Sequence, residues 1–306
     1  MVGVEQSIFS IILNVEFIMG NLGNGFIALV NCMDWVKRRK ISSVDQILTT
    51  LALFRIGFIW IFFLDWWVPV LYPTLWTTGT IMRIIYITYI VINHFSIWLA
   101  TSLSIFYFLK IANFSNSVFL YLRWRVKTVI SVTLIMSLVL LFLNIVFINT
   151  LVDFWVDGYK GNLSDSYSLS RDEQFFIFSS FTIALFTFIP FTVSLVTFLL
   201  LIFSLWKHLK RMQHNARGSR DASTTAHVKA LQTVIAFLLL YAVFFLSFLF
   251  QFLTFESLNS NLIMFLIEAG GIAFPSVHSL VLILGNRKLR RASQSVLGWL
   301  RGRSKC

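Results

Sequence analysis

The stretch from Ile81 to Lys127 reads IMRIIYITYIVINHFSIWLATSLSIFYFLK followed by IANFSNSVFLYLRWRVK. Its first part is apolar for about thirty residues, which at ~1.5 Å per residue is enough to cross a hydrocarbon core of ~30 Å. Tyr86, Tyr89 and Asn93 share one helical face with Ile97, because their spacing is i, i+3, i+7 and i+11. A polar face at this depth must look into protein or into a water-filled cavity. The pattern predicts a spanning helix that runs without a break into a basic segment.

The composition of the whole chain is that of a membrane protein. Its 306 residues are 58% hydrophobic and only 12% charged, whereas a soluble domain has roughly 25% charged residues. The net charge of +12 raises the possibility of a nucleic-acid partner. We exclude nucleic acid, because the positive charges lie in loops between apolar segments rather than on a basic domain.

Seven apolar segments make up a single domain that covers residues 1–306. This pattern predicts an all-α membrane protein, a seven-transmembrane helix bundle. The predicted spans are Ile8–Met33, Val44–Val68, Ile81–Leu109, Thr128–Thr150, Gln174–Trp206, Ala230–Phe255 and Asn259–Leu284. After the seventh span, residues 286–301 combine an apolar stripe with basic positions, which predicts a short amphipathic C-terminal helix on the inner membrane surface.

The distribution of Lys and Arg predicts the orientation of the bundle. Of the 25 basic residues, 21 fall in alternate loops and the C-terminal tail, all on one side of the predicted membrane. The positive-inside rule places that side in the cytoplasm. We therefore expect a multi-pass plasma-membrane protein with an extracellular N-terminus and a cytoplasmic C-terminus.

Polar residues within the spans predict a structural network. Asn24 and Arg55 lie at similar depth, about 14–16 Å above the inner edge, and a charged residue at this depth usually faces a partner. Ser279 of the seventh span is the predicted third member of this network. The predicted network would join spans one, two and seven.

Enzymatic chemistry is not supported by the sequence. It contains no Gly-rich phosphate loop and no His-Glu-x-x-His or Gly-x-Ser-x-Gly motif. The histidines of the fifth-to-sixth loop lack cysteine or carboxylate partners, so we predict neither a metal site nor a cofactor. The alternatives left by a seven-span chain are a ligand-activated receptor and a seven-helix channel or transporter, which should show broken helices or carboxylate relays.

Four stretches resemble the type 2 taste receptors, the bitter taste receptors among the G-protein-coupled receptors. They cover residues 16–56, 93–126, 189–213 and 275–292, and the most specific phrase is FYFLKIANFS at residues 106–115. Phe54 stands where that family often has Ser. The resemblance implies a receptor for bitter small-molecule agonists that activates a heterotrimeric G protein of the gustducin or Gi type.

A ligand site and a G-protein surface follow from depth together with this resemblance. Aromatic walls can bury apolar compounds while a few polar groups orient them. We expect the ligand-binding residues to be Trp66, Tyr86, Tyr89, Asn93, Phe186, Tyr241, Phe244, Phe245 and Glu268. Glu268 is equally consistent with a carboxyl group that only bridges helices. We expect the inner ends of spans three, five and six, including Tyr107, Lys110, His208 and Lys210, to contact the G protein. The basic residues of this surface could instead bind anionic membrane lipids.

The orientation predicts which sequon carries a glycan. Asn162-Leu-Ser164 lies in the long outer loop and Asn113-Phe-Ser115 on the inner side. Asn162→Gln should abolish the endoglycosidase-sensitive mobility shift of the protein on gels, whereas Asn113→Gln should leave it unchanged. A shift that depends on Asn113 would reverse the predicted orientation.

Overall fold

The computed structural model describes residues 2–37, 42–72, 80–160, 165–215, 222–253 and 261–303. Within these ranges all regular secondary structure is α-helical, which confirms the predicted all-α class. The helices are α1 (Val2–Val36), α2 (Ser43–Leu71), α3 (Thr80–Ile111), α4 (Ser117–Trp124), α5 (Val126–Lys160), α6 (Asp165–Asn215), α7 (Ala222–Leu253), α8 (Asn261–Gly285) and α9 (Arg287–Arg303).

Long apolar helices make this a multi-pass membrane protein. In the described residues, α1, α2, α3, α5 and α6 are each long and apolar enough to cross a membrane. The described part of α7 contributes a shorter apolar stretch, Gln232–Ser247, and α8 bends into α9 by 94°. These helices occupy the seven predicted spans in order, with α9 in the position of the predicted surface helix.

The helices form a closed ring, and α3 is the most buried of the five described helices that are long enough to span a membrane. α1 packs against α2 and α8, α3 contacts α2, α5 and α6, and α7 joins α6 to α8. Of the spanning part of α3, 56% is buried, against 17% for α5. α5 therefore lies mainly at the outside of the bundle.

Polar side chains point inward, and large apolar ones outward. Ser96, Thr101, Ser102 and Ser104 of α3 are buried, whereas many Leu, Ile and Phe side chains on the outer faces are exposed. Lipid tails cannot satisfy a hydroxyl group, so small polar residues collect where helices meet. This arrangement, polar inside and apolar outside, is the reverse of that in a soluble protein and supports a lipid environment for the outer faces.

Hydroxyl groups connect α3 to α6 across the bundle. Ser194 Oγ donates to Thr101 Oγ1 at 2.9 Å, and Thr101 Oγ1 donates to the carbonyl of Pro190 at 3.3 Å. One turn further along, the hydroxyls of Ser104 and Thr197 are 3.0 Å apart. These contacts fix the register between the two helices.

The predicted unbroken run from α3 into the basic segment is wrong. Helix α3 ends at Ile111, and residues 112–116 are not helical. Asn116 then caps α4 by accepting a hydrogen bond from the Val118 amide at 2.8 Å. Asn and Ser side chains compete with helical hydrogen bonds in this way, which explains the break despite apolar flanks.

Asn286 produces the turn between α8 and α9. Its side-chain oxygen accepts from the amide of Lys288 at 2.9 Å and from that of Leu289 at 3.4 Å, so it caps α9. Leu289 is fully buried. The cap and the buried Leu289 side chain both help to hold the amphipathic helix against the bundle.

Two glycines allow α1 to approach its neighbours closely. A Cβ atom at Gly23 would lie 2.1 Å from Ser279 Oγ of α8, and one at Gly20 would lie 2.6 Å from Ser276 Oγ. A Cβ atom at Gly25, by contrast, would meet nothing within 4 Å. The contact between α1 and α8 thus depends on the absence of a side chain at positions 20 and 23.

Gly23→Ala should lower the melting temperature of the purified protein, because the new methyl group overlaps Ser279. Gly25→Ala is the matched control, and it should be neutral or stabilising, since Ala is favoured over Gly in a helix by about 0.5–1 kcal/mol. Equal melting temperatures for the two variants would contradict the close approach of α1 and α8.

Candidate functional site: two ends of a helix bundle

The two ends of the bundle differ in charge. One end, here called the basic end, carries Lys110, Arg125, Lys207 and Arg287 at or near helix termini. At the opposite end, Arg83 of α3 forms an exposed ion pair with Asp153 of α5. The described residues predicted to bind ligand and G protein are distributed between these ends.

A cavity of about 650 Å³ opens at the basic end between α3, α7 and α8. We call it the basic-end cavity. Its wall combines apolar side chains with Tyr107, Gln232, His278 and, from α9, Arg287 and Arg290. Of the four residues predicted to contact the G protein, Tyr107 lines this cavity.

The other three members of that set lie elsewhere on the basic end. Lys110 lines a second cavity of about 580 Å³. His208 and Lys210 are exposed near the end of α6, and Lys210 Nζ lies 5.6 Å above the Trp206 ring centre. The described structure therefore spreads the predicted G-protein contacts over one face rather than one pocket.

An aromatic cluster occupies the middle of the bundle beyond the basic-end cavity. The ring centre of Phe274 lies 5.2 Å from that of Tyr241, 5.0 Å from Phe244 and 5.3 Å from His278. Phe245 stacks on Phe191 of α6 at 4.3 Å. Tyr241, Phe244 and Phe245, predicted to bind ligand, are thus buried packing residues between α6, α7 and α8.

Asn93 and Phe186 lie together at a small cavity of about 20 Å³ between α3, α5 and α6. Its other lining residues include His94 and Asn144. His94 Nε2 and Asn144 Oδ1 are buried without a hydrogen-bond partner among the described residues. The cavity has room for about one water molecule, which could bind these two polar atoms. It is therefore a small polar site among apolar side chains.

Of the remaining predicted ligand residues, two lie on α3, and the side chains of the other two are not described. Tyr86 and Tyr89 pack against the cluster of Ile90 with three α5 residues, and Tyr89 lies 5.5 Å from Phe58 of α2, ring centre to ring centre. The side chains of Trp66 and Glu268, and the whole of Asn162, lie outside the described residues.

Asn24, Arg55 and Ser279 are all buried where α1, α2 and α8 meet. Asn24 Nδ2 donates to the carbonyl of Pro275 at 3.1 Å, and Ser279 Oγ donates to that of Ser276 at 2.7 Å. The Arg55 guanidinium lies 4.9 Å from the Phe274 ring centre and has no hydrogen-bond partner among the described residues. All three therefore lie where spans one, two and seven meet, as the predicted network requires, but no hydrogen bond among the described residues joins them to one another.

A cluster that was not predicted from the sequence holds α9 to α1 and α2. Lys288 Nζ lies 2.8 Å from Asn31 Oδ1, 2.8 Å from Asp34 Oδ2 and 3.6 Å from Asp45 Oδ1. We call this cluster the Lys288 clasp. Because Lys288 lies 254 residues from Asp34, no local sequence pattern connects them.

Comparison with known proteins agrees with this architecture. A family model described as "Taste receptor protein (TAS2R)" matches residues 1–301. The chain is 56% identical over 303 residues to taste receptor type 2 member 14 of Macaca mulatta, covering 99% of this chain and 95% of that protein. It is also 56% identical to the Homo sapiens member 14 over 299 residues, covering 98% and 94%, and 54% identical to Mus musculus member 113 over 300 residues, covering 98% and 97%.

The chain forms a closed ring of apolar helices with a cavity at its basic end, and the family match covers nearly its full length. Together these findings define a G-protein-coupled receptor, and not an enzyme. The chain belongs to the taste receptor type 2 family, the bitter taste receptors.

Lys288→Gln should lower the melting temperature of the detergent-solubilised receptor. A hydrogen bond to a charged group contributes about 1.5–3 kcal/mol, and in proteins of about 150–250 residues each kcal/mol corresponds to ~2–4 °C. Arg301→Gln, on the same helix and exposed, is the control and should melt like the wild type. If both variants melt alike, the clasp does not stabilise the receptor.

Proposed function

We propose that this receptor binds bitter small molecules at the end of the bundle opposite the basic end and activates a gustducin- or Gi-type heterotrimeric G protein at the basic end. In this proposal the receptor lies in the plasma membrane with its N-terminus extracellular and its C-terminus cytoplasmic. Asn162 carries the glycan, and anionic lipids face the basic end.

The basic-end cavity is the observation that carries the coupling half of the proposal. The cavity has a volume of about 650 Å³, lies between α3, α7 and α8, and is open at the basic end. A helix end can dock in such a groove by its apolar face. Arg287 and Arg290 at its rim would attract an acidic C-terminal helix of a G-protein α subunit and speed its encounter. Tyr107 would meet the helix inside the cavity, and Lys110, His208 and Lys210 would meet the G protein around it.

The proposed ligand site is supported by a few polar groups that lie among aromatic side chains. Asn93 is buried next to Phe186 at the small polar cavity, and its amide can both donate and accept a hydrogen bond. Tyr86 and Tyr89 lie on the same helix towards the opposite end. Trp66 and Glu268 complete the proposed site. The Glu268 side chain would accept a hydrogen bond from the ligand when it is ionised, and it could also donate one when it is protonated.

Coupling can be tested by charge reversal at the cavity rim. Arg290→Glu should reduce agonist-evoked nucleotide exchange on purified Gi in reconstituted vesicles, since it repels an acidic helix at the cavity. Arg301→Glu, which carries the same change outside the cavity, is the control and should retain exchange.

Two results would contradict the proposal. Equal exchange by the two variants at matched receptor amounts would remove the basic-end cavity from coupling. Agonist-evoked ion flux in the same vesicles, without nucleotide exchange, would favour a channel over a G-protein-coupled receptor.

Asn93→Ala should weaken agonist potency by about two- to tenfold, because one neutral hydrogen bond is worth roughly 0.5–1.5 kcal/mol. The measurement is a concentration–response curve for calcium release with several chemically distinct agonists, at matched surface expression. Asn14→Ala is the control, since the exposed Asn14 amide donates to the Ser10 carbonyl of its own helix. Wild-type potency of Asn93→Ala for every agonist would place the ligand elsewhere.

A further inference from the structure

A second cavity at the basic end lies apart from the basic-end cavity, although one of its lining residues, Lys110, is also among the residues proposed to contact the G protein. It has a volume of about 580 Å³ and lies between the start of α2, the end of α3 and the turn that joins α4 to α5. None of its lining residues lines the basic-end cavity. We call it the α4 pocket. Its volume falls in the range of ~300–1,000 Å³ in which proteins bind small ligands.

Three cations surround the α4 pocket. Lys110 comes from the last turn of α3, Arg125 from the turn between α4 and α5, and Lys127 from the first turn of α5. All three are exposed, and none forms a salt bridge with a carboxylate of the described residues. The carboxylate of Asp45 on α2 is engaged by Lys288 and by the Ser42 hydroxyl. The pocket therefore presents three positive charges without a described protein counter-ion.

Neutral donors accompany these charges. The hydroxyl-bearing residues Ser43 and Thr128 both line the pocket. Thr128 also lies in the first turn of α5, where backbone amides have no acceptor within their own helix. Phosphate oxygens are acceptors, and a phosphate group is therefore the ligand for which this set of donors is suited.

Aromatic side chains place the pocket at the level of lipid headgroups. Trp124 is 81% exposed and Tyr121 is 54% exposed. The Arg125 guanidinium carbon lies 5.1 Å from the Tyr121 ring centre and 5.8 Å from that of Trp124, so both rings are in cation–π range of it. Trp and Tyr are enriched where a membrane meets water, because one part of the side chain is apolar and the other polar. Phe106 and Val126 supply an apolar lining that acyl chains can contact.

We propose that the α4 pocket binds the headgroup of a polyphosphorylated phosphoinositide from the inner leaflet. Three cations exceed the single net charge of phosphatidylserine, and they match a headgroup with several phosphate charges. The inference rests on the proposed orientation, which puts the basic end at the cytoplasmic leaflet. It requires neither agonist binding nor G-protein activation.

The test measures lipid binding to the full-length receptor in nanodiscs of phosphatidylcholine. The probe is fluorescent phosphatidylinositol 4,5-bisphosphate, titrated into the disc. The double variant Arg125→Gln/Lys127→Gln should bind it about tenfold or more weakly, since each basic residue near an anionic surface contributes on the order of 1 kcal/mol. The control is Arg291→Gln/Arg301→Gln, which removes the same charge from exposed positions on α9 and should retain nearly wild-type affinity. Thermal melting checks that all variants are folded.

Three outcomes would overturn the proposal. Equal weakening by the two double variants would mean that the lipid responds to overall charge. Equal affinity for phosphatidylserine added at the same total charge would mean that the pocket does not select phosphoinositides. If free inositol trisphosphate displaced the fluorescent lipid at the same concentration as unlabelled phosphatidylinositol 4,5-bisphosphate does, the ligand would be a soluble phosphate compound.

The G protein is the remaining candidate occupant of the α4 pocket. If Arg125→Gln/Lys127→Gln binds the lipid like the wild type but fails to activate Gi in vesicles of phosphatidylcholine, the pocket is a G-protein contact and the proposal fails. Because the binding measurement contains no agonist and no G protein, it remains informative even if the receptor couples to another partner.

Discussion

Hydrocarbon cannot form hydrogen bonds, and this constraint determines how the chain folds. Each polar group that a span carries into the membrane must find a partner within the bundle or face a cavity. Helical backbone satisfies itself, and the hydroxyls of Thr101, Ser104 and Ser194 are satisfied between α3 and α6. The Arg55 guanidinium is held differently, over the Phe274 ring and away from lipid. The central position of α3 follows from its load of small polar residues.

In the proposed function the ligand and the G protein bind at opposite ends of this ring, and the packing between the two ends is aromatic. Phe274 contacts Tyr241, Phe244, His278 and Arg55, so one ring from α8 touches side chains of α2 and α7. His278 also borders the basic-end cavity. The same cluster therefore lies against that cavity and includes Tyr241 and Phe244, two of the residues predicted to bind ligand. A shift of α7 against α8 would have to rearrange these rings.

Span length and the apolar stripe of residues 286–301 were enough to predict the helical bundle and the amphipathic C-terminal helix, because both are properties of local sequence. The break at residues 112–116 was missed since its Asn and Ser signals are short and lie between helix-favouring segments. Tyr241 and Phe244 could be assigned to an inward face, but spacing does not distinguish a cavity wall from packed core. The Lys288 clasp depends on the closure of the ring, which brings α9 next to α1 and α2. Sequence spacing contains no information on that closure.

The position of α5 has a consequence for how this receptor can vary. Its outer face meets fluid acyl chains, which accept any apolar side chain of suitable length, while its inner face offers Ser137 and Asn144 as buried polar groups. Exchange among Leu, Ile, Val and Phe on the outer face should therefore be nearly free of selection. Over evolutionary time we expect α5 to diverge between species faster than α3, with substitutions confined to one stripe of the helix.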